Sequence, residues 1–421
     1  MTAIKPPAAT QARAPLKPLD EALLQLLASA HVLEDEEEVS TFDADGRVLA
    51  QDVVSALHVP AHDNSAMDGY AVRCVDVAQS GSVLAVSQRI AAGTRGGVLQ
   101  PGSVARIFTG APIPAGADAV VMQEDCEVVS APGEPVQVRV NTAVQAGQWI
   151  RRAGEDVAQG AVVLAKGDRL TPACLGLAAS IGRNTLQVAR QPRVALFSTG
   201  DELVMPGDVA PADMKAGAIY NSNRFFLRAL LVRLGCVVTD FGIVPDRLDA
   251  TLQALRDASA RHDLILTSGG VSVGEEDHIK PAVQTLGTLN LWQIAIKPGK
   301  PFAYGKVGAA HFMGLPGNPV SSFVTFLMLV RPFLLRLQGV TDVATDCVAL
   351  PANFKWPKAD KRREFLRVRR NAGGGLDLFP NQSSGVLTSA VWGDGVVDNP
   401  PGQTIAPGDL VQFIAFSSLL T

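Results

Sequence analysis

At 421 residues the chain is too long for one ordinary core and predicts roughly two to four domains. Its 47% hydrophobic and 19% charged residues have the balance of a soluble globular protein. A formal net charge of −4 with no basic stripe argues against nucleic acid as a partner, and the longest mainly apolar run, residues 323–330, is too short to span a bilayer, so no membrane partner is expected.

The opening MTAIKPPAATQARAPLKP lacks the apolar segment of a secretory signal, and residues 1–14 are expected as a disordered Pro/Ala tail. Leu19, Leu23, Leu26 and Leu27 recur at helical spacing behind Asp20, which predicts an amphipathic helix over 16–30. The acidic run at 34–38 reads as a solvated helix start. From about 54 to 182, short β-branched runs alternate with turns (SVLAVS, SVARIF, DAVVMQ, VQVRV, AVVLAKGD), which predicts a β-rich region. From 193 the text alternates strand and helix. VALFS, CVVTDFGIV, LILTS, LWQIAIK, FAYGKV and HFMGL read as strands, and 224–234, 248–261, 277–286 and 319–337 as helices. Apolar strands alternating with helices predict a mostly parallel sheet covered on both faces, a three-layer α/β domain. The last 80 or so residues return to short strands (EFLRVRR, LDLFP, LVQFIAF), so a small all-β, barrel-like domain is expected.

The five cysteines, Cys74, Cys126, Cys174, Cys236 and Cys347, form no CxxC pair. An odd, dispersed set predicts neither a disulfide framework nor a structural zinc site and points to a reducing, cytoplasmic compartment. The six histidines form no metal-ligand motif, and GxSxG, HExxH, P-loop and GxGxxG signatures are missing.

Ligands of open parallel sheets sit beyond the carboxyl ends of the strands. Here VALFS is followed by Thr199-Gly-Asp-Glu202, and FGIV by Pro245-Asp246. LILT is followed by Ser268-Gly-Gly-Val-Ser272-Val-Gly-Glu-Glu-Asp277, LWQIAI by Lys297-Pro-Gly-Lys300-Pro301, and HFMGL by Pro316-Gly-Asn-Pro319. Taken singly, each is an ordinary turn, and Asn318-Pro319 an ordinary capped helix entry. Their conjunction points to a pocket for a phosphorylated ligand. Gly269, Gly270 and Gly274 let backbone N–H groups approach an anion, and Lys297 and Lys300 supply positive charge. Glu202, Asp246 and Asp277 beside a phosphate call for a divalent metal held by one or two carboxylates and phosphate oxygens. Two clusters elsewhere, around Asp63-Asn-Ser-Ala-Met-Asp68 and Arg106-Ile-Phe-Thr109, with a charged turn at Arg151-Arg152-Ala-Gly-Glu155-Asp156, are not attached to the pocket by the residues alone.

PAHDNSAMDGYAV, RIFTGAPIP with DAVVMQ, RRAGEDV, STGDEL, TSGGVSVGEEDH, KPGKPFAYG and LPGNPVSSFVTF occur in order. In this the chain resembles the molybdopterin molybdenumtransferase family (MoeA and the gephyrin E domain) from about residue 20 onward. The resemblance implies a molybdopterin-binding α/β domain at 191–340, a discontinuous dimerisation domain at 15–60 and 150–190, a β-rich domain at 61–149 and a C-terminal β domain at 341–421. It implies insertion of molybdenum from molybdate into adenylylated molybdopterin, release of AMP, a need for Mg²⁺, and a homodimer with its cleft between subunits. Partners implied are molybdopterin adenylyltransferase and molybdoenzyme maturation proteins. Asp63, Thr109, Asp156, Glu202, Asp246 and Asp277 match catalytic positions, with Glu202, Asp246 and Asp277 on the metal. Gly269, Gly270, Ser272, Gly274, Lys297, Lys300 and Pro301 match substrate-binding positions, as do Arg362 and Ser383 or Ser384. Family members often carry Asp where Asn221 stands. The alternative is a non-catalytic molybdopterin-binding or scaffold protein.

Overall fold

The computed structural model describes residues 16–270 and 278–420. The tail expected at 1–14, and Ser272, Gly274 and Asp277, lie outside the described residues. Glu36–Ser40 pairs antiparallel with Thr185–Ala189, and Val53–Val54 with Val162–Leu164. The acidic run expected as a helix start is therefore a strand. Each carboxylate within the strand finds a donor in tertiary structure: Glu37 takes Arg47 at 2.7 Å, Glu36 takes Gln51 at 2.9 Å and Glu38 takes Gln187 at 3.0 Å. Because its pairing partner lies far along the chain, local periodicity does not reveal the strand.

Between these segments runs a six-stranded sheet, in the order Ala119–Met122, Gly69–Val72, Ser103–Ile107, Ser82–Ile90, Gln137–Val140, Cys126–Val128. Tyr70, Val72, Val104, Val121 and Val138 fill one of its cores.

The α/β domain contains β1 (Arg193–Thr199), α1 (Ser222–Arg233), β2 (Val237–Val244), α2 (Leu248–Ser259), β3 (Leu264–Ser268), α3 (Ile279–Leu286), β4 (Gly287–Gln293), β5 (Pro301–Val307), β6 (Ala310–Leu315) and α4 (Pro319–Leu337). The sheet order is β2-β1-β3-β6-β5-β4. Strands β2, β1, β3 and β6 are mutually parallel, whereas β5 runs antiparallel to both neighbours. Leu196, Leu266 and Leu315 bury toward α1 and α4, and Ala195, Phe197 and Ile265 toward α2 and α3. Burial on both faces explains the uninterrupted apolar text of β1 and β3.

α4 contains a π-helical turn at Phe326–Val330. At 19 residues it is long and apolar enough to cross a membrane, but 89% of it is buried in the protein, as suits a core helix. Leu19–Ala28 precedes the first domain in sequence yet packs here, with Leu19, Ala22 and Leu26 in the same cluster as Leu334 and Leu337.

The C-terminal sheet runs Ile296–Lys297, Arg363–Arg370, Gly395–Asn399, Leu410–Ala415, Val348–Pro351, with Leu376–Leu378 pairing off Arg363–Arg370. LWQIAIK, expected as one strand, is thus divided between two sheets. The chain turns where Ile294 N–H donates to Lys300 O at 2.7 Å and Ala295 N–H to Lys17 O at 2.8 Å. A short apolar run does not encode which sheet each half joins. Phe416 and Leu419 of the last helix, Phe416–Leu420, enter the α/β core and fix the C-terminal domain against it.

Candidate functional site

Because β4 is antiparallel to β5, which is antiparallel to β6, strands β1, β2, β3, β4 and β6 all present their carboxyl ends at one edge. A cavity of about 540 Å³ opens there, lined by Thr199, Glu202, Asn221, Ser268, Gly269 and Asn318 among others. Gly269 adopts φ +92°, and a Cβ there would meet Thr199 O at 2.8 Å, so only glycine fits. Its N–H donates to Leu315 O at 3.1 Å, tying β3 to β6. Gly270 follows at φ 66°.

Asn223 donates through Nδ2 to Ser268 Oγ and to Gly317 O, both at 2.7 Å, stapling α1 to β3 and to the turn before α4. Asn221 Oδ1 accepts from Arg224 N–H at 3.3 Å and caps α1. Its Nδ2 has no partner among the described residues although the residue is only 2% exposed. Such an orphan donor costs about 1–3 kcal/mol unless a ligand satisfies it. Asn318 stands at the α4 N-cap with Pro319 following, but makes no side-chain capping bond and faces the cavity instead, unlike the ordinary entry its sequence suggests. The N-termini of α1 and α4 both reach this cavity and favour negative charge in it. The C-terminal domain closes one wall: Val320 N–H donates to Ser384 O at 2.9 Å and Gly385 lines the cavity. Ser383 O is held by Arg367 Nη2 at 3.3 Å.

Glu202 brings a carboxylate to the cavity, and Asp246 sits half-buried just beyond β2. Among the described residues no three His, Cys, Asp or Glu side chains gather as a metal-binding set.

Lys297 and Arg362 line a second cavity of about 410 Å³ with Trp356 and Asp360. Lys297 Nζ donates to Glu364 Oε1 at 2.8 Å and lies 3.5 Å from Asp360 Oδ2. Glu364 is 1% exposed and also accepts from Trp356 Nε1 at 2.8 Å. Arg362 grips Asp360 through Nε at 3.0 Å and Nη2 at 2.8 Å and holds that carboxyl well below the usual carboxylate range. The candidate oxyanion cations thus come with carboxylate partners, Asp360 and Glu364, that sequence reading missed. The two flank Arg362-Arg363 within KADKRREF, but only tertiary pairing shows which cation each one neutralises. Lys300 has no side-chain partner among the described residues, and Pro301 opens β5 opposite Gln293.

The remaining candidates form a separate group on the N-terminal domains. Asp63 Oδ1 accepts from Ala153 N–H at 2.8 Å and Oδ2 pairs with Arg152 Nη1 at 2.6 Å. The Ala153 amide, outweighing slight burial and assisted by Arg152, holds the Asp63 carboxyl below its ordinary value. Thr109 donates through N–H and Oγ1 to Asp68 Oδ1, each at 2.7 Å. Asp156 N–H donates to Val59 O at 3.0 Å, and Asn64–Ser65 pairs with Ile150–Arg151. These contacts bring Asp63 and Asp156 around one turn, with Thr109 on the adjoining strand end. Arg89 and Arg106 stack on Phe108 at 4.5 and 4.7 Å, so that Arg89, which the sequence reading missed, joins the cluster around Thr109. Among the described residues no side-chain hydrogen bond or ion pair joins this group to the sheet-edge cavity.

Models for the MoeA N-terminal region (domain I and II), a probable molybdopterin binding domain and the MoeA C-terminal region (domain IV) match residues 17–182, 195–336 and 349–416. A molybdopterin molybdenumtransferase of Haemophilus influenzae is 44% identical over 322 residues, covering 76% of this chain and 78% of that protein. One from Synechococcus elongatus is 38% identical over 367 residues, covering 84% and 88%. The crystal structure of a molybdopterin biosynthesis moeA protein from Pyrococcus horikoshii superposes with a TM-score of 0.82 at 29% identity, covering 95% of this chain and all of that one. With these relatives over most of its length, the chain belongs to the molybdopterin molybdenumtransferase family.

Proposed function

We propose that the protein inserts molybdenum from molybdate into adenylylated molybdopterin, releasing AMP and forming the molybdenum cofactor. The observation that carries this reading is the sheet-edge cavity, walled by two helix N-termini, polar side chains and one carboxylate, in a chain of this family. A phosphate suits the helix N-termini. Lys300, whose ammonium has no partner among the described residues, adds positive charge in the KPGK turn. Lys297 and Arg362 receive molybdate as a tetrahedral dianion, exchanging part of their bonding with Glu364 and Asp360. The residues act by positioning and by electrostatics. No protein nucleophile is required: water attacks the phosphoanhydride phosphorus, the bridging P–O bond breaks and AMP leaves, while the two dithiolene sulfurs bond to molybdenum and one molybdate oxygen departs as water with the two thiol protons. A scaffold that only holds molybdopterin is disfavoured by Glu202, since a carboxylate facing phosphate weakens simple anion binding.

Mg²⁺ is the proposed cofactor. Glu202, Asp246 and Asp277 would hold it, hard oxygen donors of the type Mg²⁺ takes one or two at a time alongside phosphate oxygens. Bound there, the ion supplies charge neutralisation of the phosphoanhydride. We also infer a cytoplasmic homodimer, supplied by molybdopterin adenylyltransferase and discharging to molybdoenzyme maturation proteins. Five free cysteines suit a reducing compartment. The separation of the Asp63 group from the cavity suits a site completed by a partner subunit.

The test is to incubate the purified protein with adenylylated molybdopterin and Mg²⁺, with and without molybdate, and follow AMP and active cofactor. Molybdate-dependent release of AMP together with cofactor is expected. AMP release without cofactor, or neither product, overturns the reading. EDTA is expected to stop the reaction, and an unchanged rate in EDTA rules out the metal.

A further inference from the structure

We propose that the indole of Trp149 stacks on a planar heteroaromatic ring of the substrate, either the purine of the adenylyl group or the pterin. The inference rests on the adenylylated-molybdopterin reading and adds to it an aromatic contact supplied by the Asp63 group.

Among the described residues Trp149 is the one non-glycine residue at positive φ, at 54°. A bulky side chain in the left-handed region is strained, and such strain persists where the surroundings dictate the conformation, often at ligand sites. Here the surroundings are plain. Trp149 O accepts from Ala66 N–H at 2.9 Å, and Gln148 O from Val120 N–H at 3.0 Å. The next two residues, Ile150–Arg151, pair with Asn64–Ser65. On its other side Ser65 donates through N–H to Ala111 O at 2.9 Å and accepts from Gly110 N–H at 2.8 Å. Residues 63–66 are thus held between the strand that follows Trp149 and the turn that follows Thr109. Asn64 Oδ1, in the same ladder, is buried without a donor among the described residues, a second uncompensated cost at this place.

The chain has four tryptophans. Trp292 packs on Phe302 at 5.9 Å, Trp392 on Phe379 at 5.3 Å, and Lys297 lies over Trp356 at 5.6 Å. Trp149 has no ring or cation partner among the described residues, and it is 39% exposed. An indole held in a strained backbone, beside residues placed in the site, offers a flat apolar face to a flat ring. Arg151 and Arg152 follow it, both exposed, and supply the positive charge that a phosphorylated ring compound needs nearby.

The experiment uses the full chain, thermal unfolding of each variant, and titrations followed by calorimetry and by tryptophan emission. Adenylylated molybdopterin, AMP and molybdopterin are titrated separately. Trp149→Asn removes the ring and places a residue tolerant of positive φ there, so relief of strain offsets lost burial and the variant is expected to unfold within a few degrees of the wild type. It is expected to bind adenylylated molybdopterin roughly 5- to 50-fold more weakly, the range of one stacked base. Trp149→Phe keeps a flat ring and is expected to bind within about threefold of the wild type while losing the share of the emission change that Trp149 contributes. Weakening by Trp149→Asn that recurs with AMP places the purine on the indole, and weakening that recurs with molybdopterin places the pterin there. Wild-type affinity in a folded Trp149→Asn overturns the proposal, as does an undiminished emission change in Trp149→Phe. Failure of the wild type itself to bind adenylylated molybdopterin overturns the functional reading and this inference together.

Discussion

Lys297 and Lys300 belong to one short KPGK turn but do different work. Lys297 neutralises Glu364, a carboxylate 1% exposed whose other donors are Trp356 Nε1 and Asn399 Nδ2. Replacing Lys297 by Ala leaves that carboxylate buried with neutral donors alone. The expected cost is about 1–3 kcal/mol of unfolding free energy in urea titrations, in addition to lost AMP release. Lys300→Ala removes an ammonium that has no partner among the described residues and should stay within about 0.5 kcal/mol of the wild type while losing activity. Equal stability for the two variants would show that Glu364 does not depend on Lys297. Gly269 offers a sharper steric case. Gly269→Ala forces a side chain into φ +92° and against Thr199 O at 2.8 Å, so β1 and β3 must part at the cavity wall. A loss of about 1–3 kcal/mol is expected, and an unperturbed variant would refute the close approach.

Between elements, one ion pair joins the N-terminal part of the molecule to the α/β sheet. Asp263, directly before β3, accepts from Arg190 Nη1 at 2.8 Å, from Arg190 Nη2 at 2.7 Å and from Arg193 N–H at 2.7 Å. Burial pushes the Asp263 carboxyl up, but the Arg190 guanidinium and the Arg193 amide together outweigh it and leave it below its ordinary value. A depressed carboxyl pKa stabilises the fold fully above the unfolded value of about 3.9 and loses that contribution as pH falls through the folded value. Asp263→Asn should therefore lower stability by about 1–3 kcal/mol at pH 7, with the gap to wild type closing below about pH 4. A gap independent of pH in thermal unfolding would refute the pairing. Arg190 and Asp263 lie too far apart in the sequence for spacing to suggest their contact. The same limit governs what was legible elsewhere. β1 and β3 read correctly because burial on both faces writes itself as continuous apolar text. The turns after β1, β3 and β6, expected together at one edge, do line one cavity, because strand ends are where the chain leaves the core. Glu36–Ser40 was illegible because its partner, Thr185–Ala189, is remote and its polar composition mimics a helix start. Ile296–Lys297 was assigned to the wrong sheet because a two-residue strand carries no pattern that tells one sheet from the other. Asp360 and Glu364 hid among the charges of KADKRREF, where sequence alone does not show which ones meet Lys297.

At the scale of the whole molecule, two groups of candidate residues stand apart, besides the cavity of Lys297 and Arg362. One lies at the carboxyl edge of the α/β sheet, the other around Asp63, Thr109 and Asp156, with no side-chain bond between them among the described residues. In the homodimer proposed above, each chain carries two half-sites. A twofold dimer is isologous, so whatever contact brings the first group of one subunit to the second group of its partner occurs twice, and both halves are used. This arrangement makes a prediction that a site closed within one chain does not. Asp63→Asn and Glu202→Gln are each expected to be inactive as pure dimers. Asp63→Asn should fold, because its ion pair with Arg152 is largely exposed and contributes at most about 1 kcal/mol. When the two variants are co-expressed with different tags, half of the randomly formed dimers are mixed. Each mixed dimer then holds one doubly altered site and one intact site, so about one quarter of wild-type AMP release should return. The recovered activity should copurify with both tags. Mixed dimers that are isolated and remain inactive would mean that Asp63 and Glu202 serve the same site from the same chain. In that case the two groups must meet by a movement of the N-terminal domains toward the sheet edge.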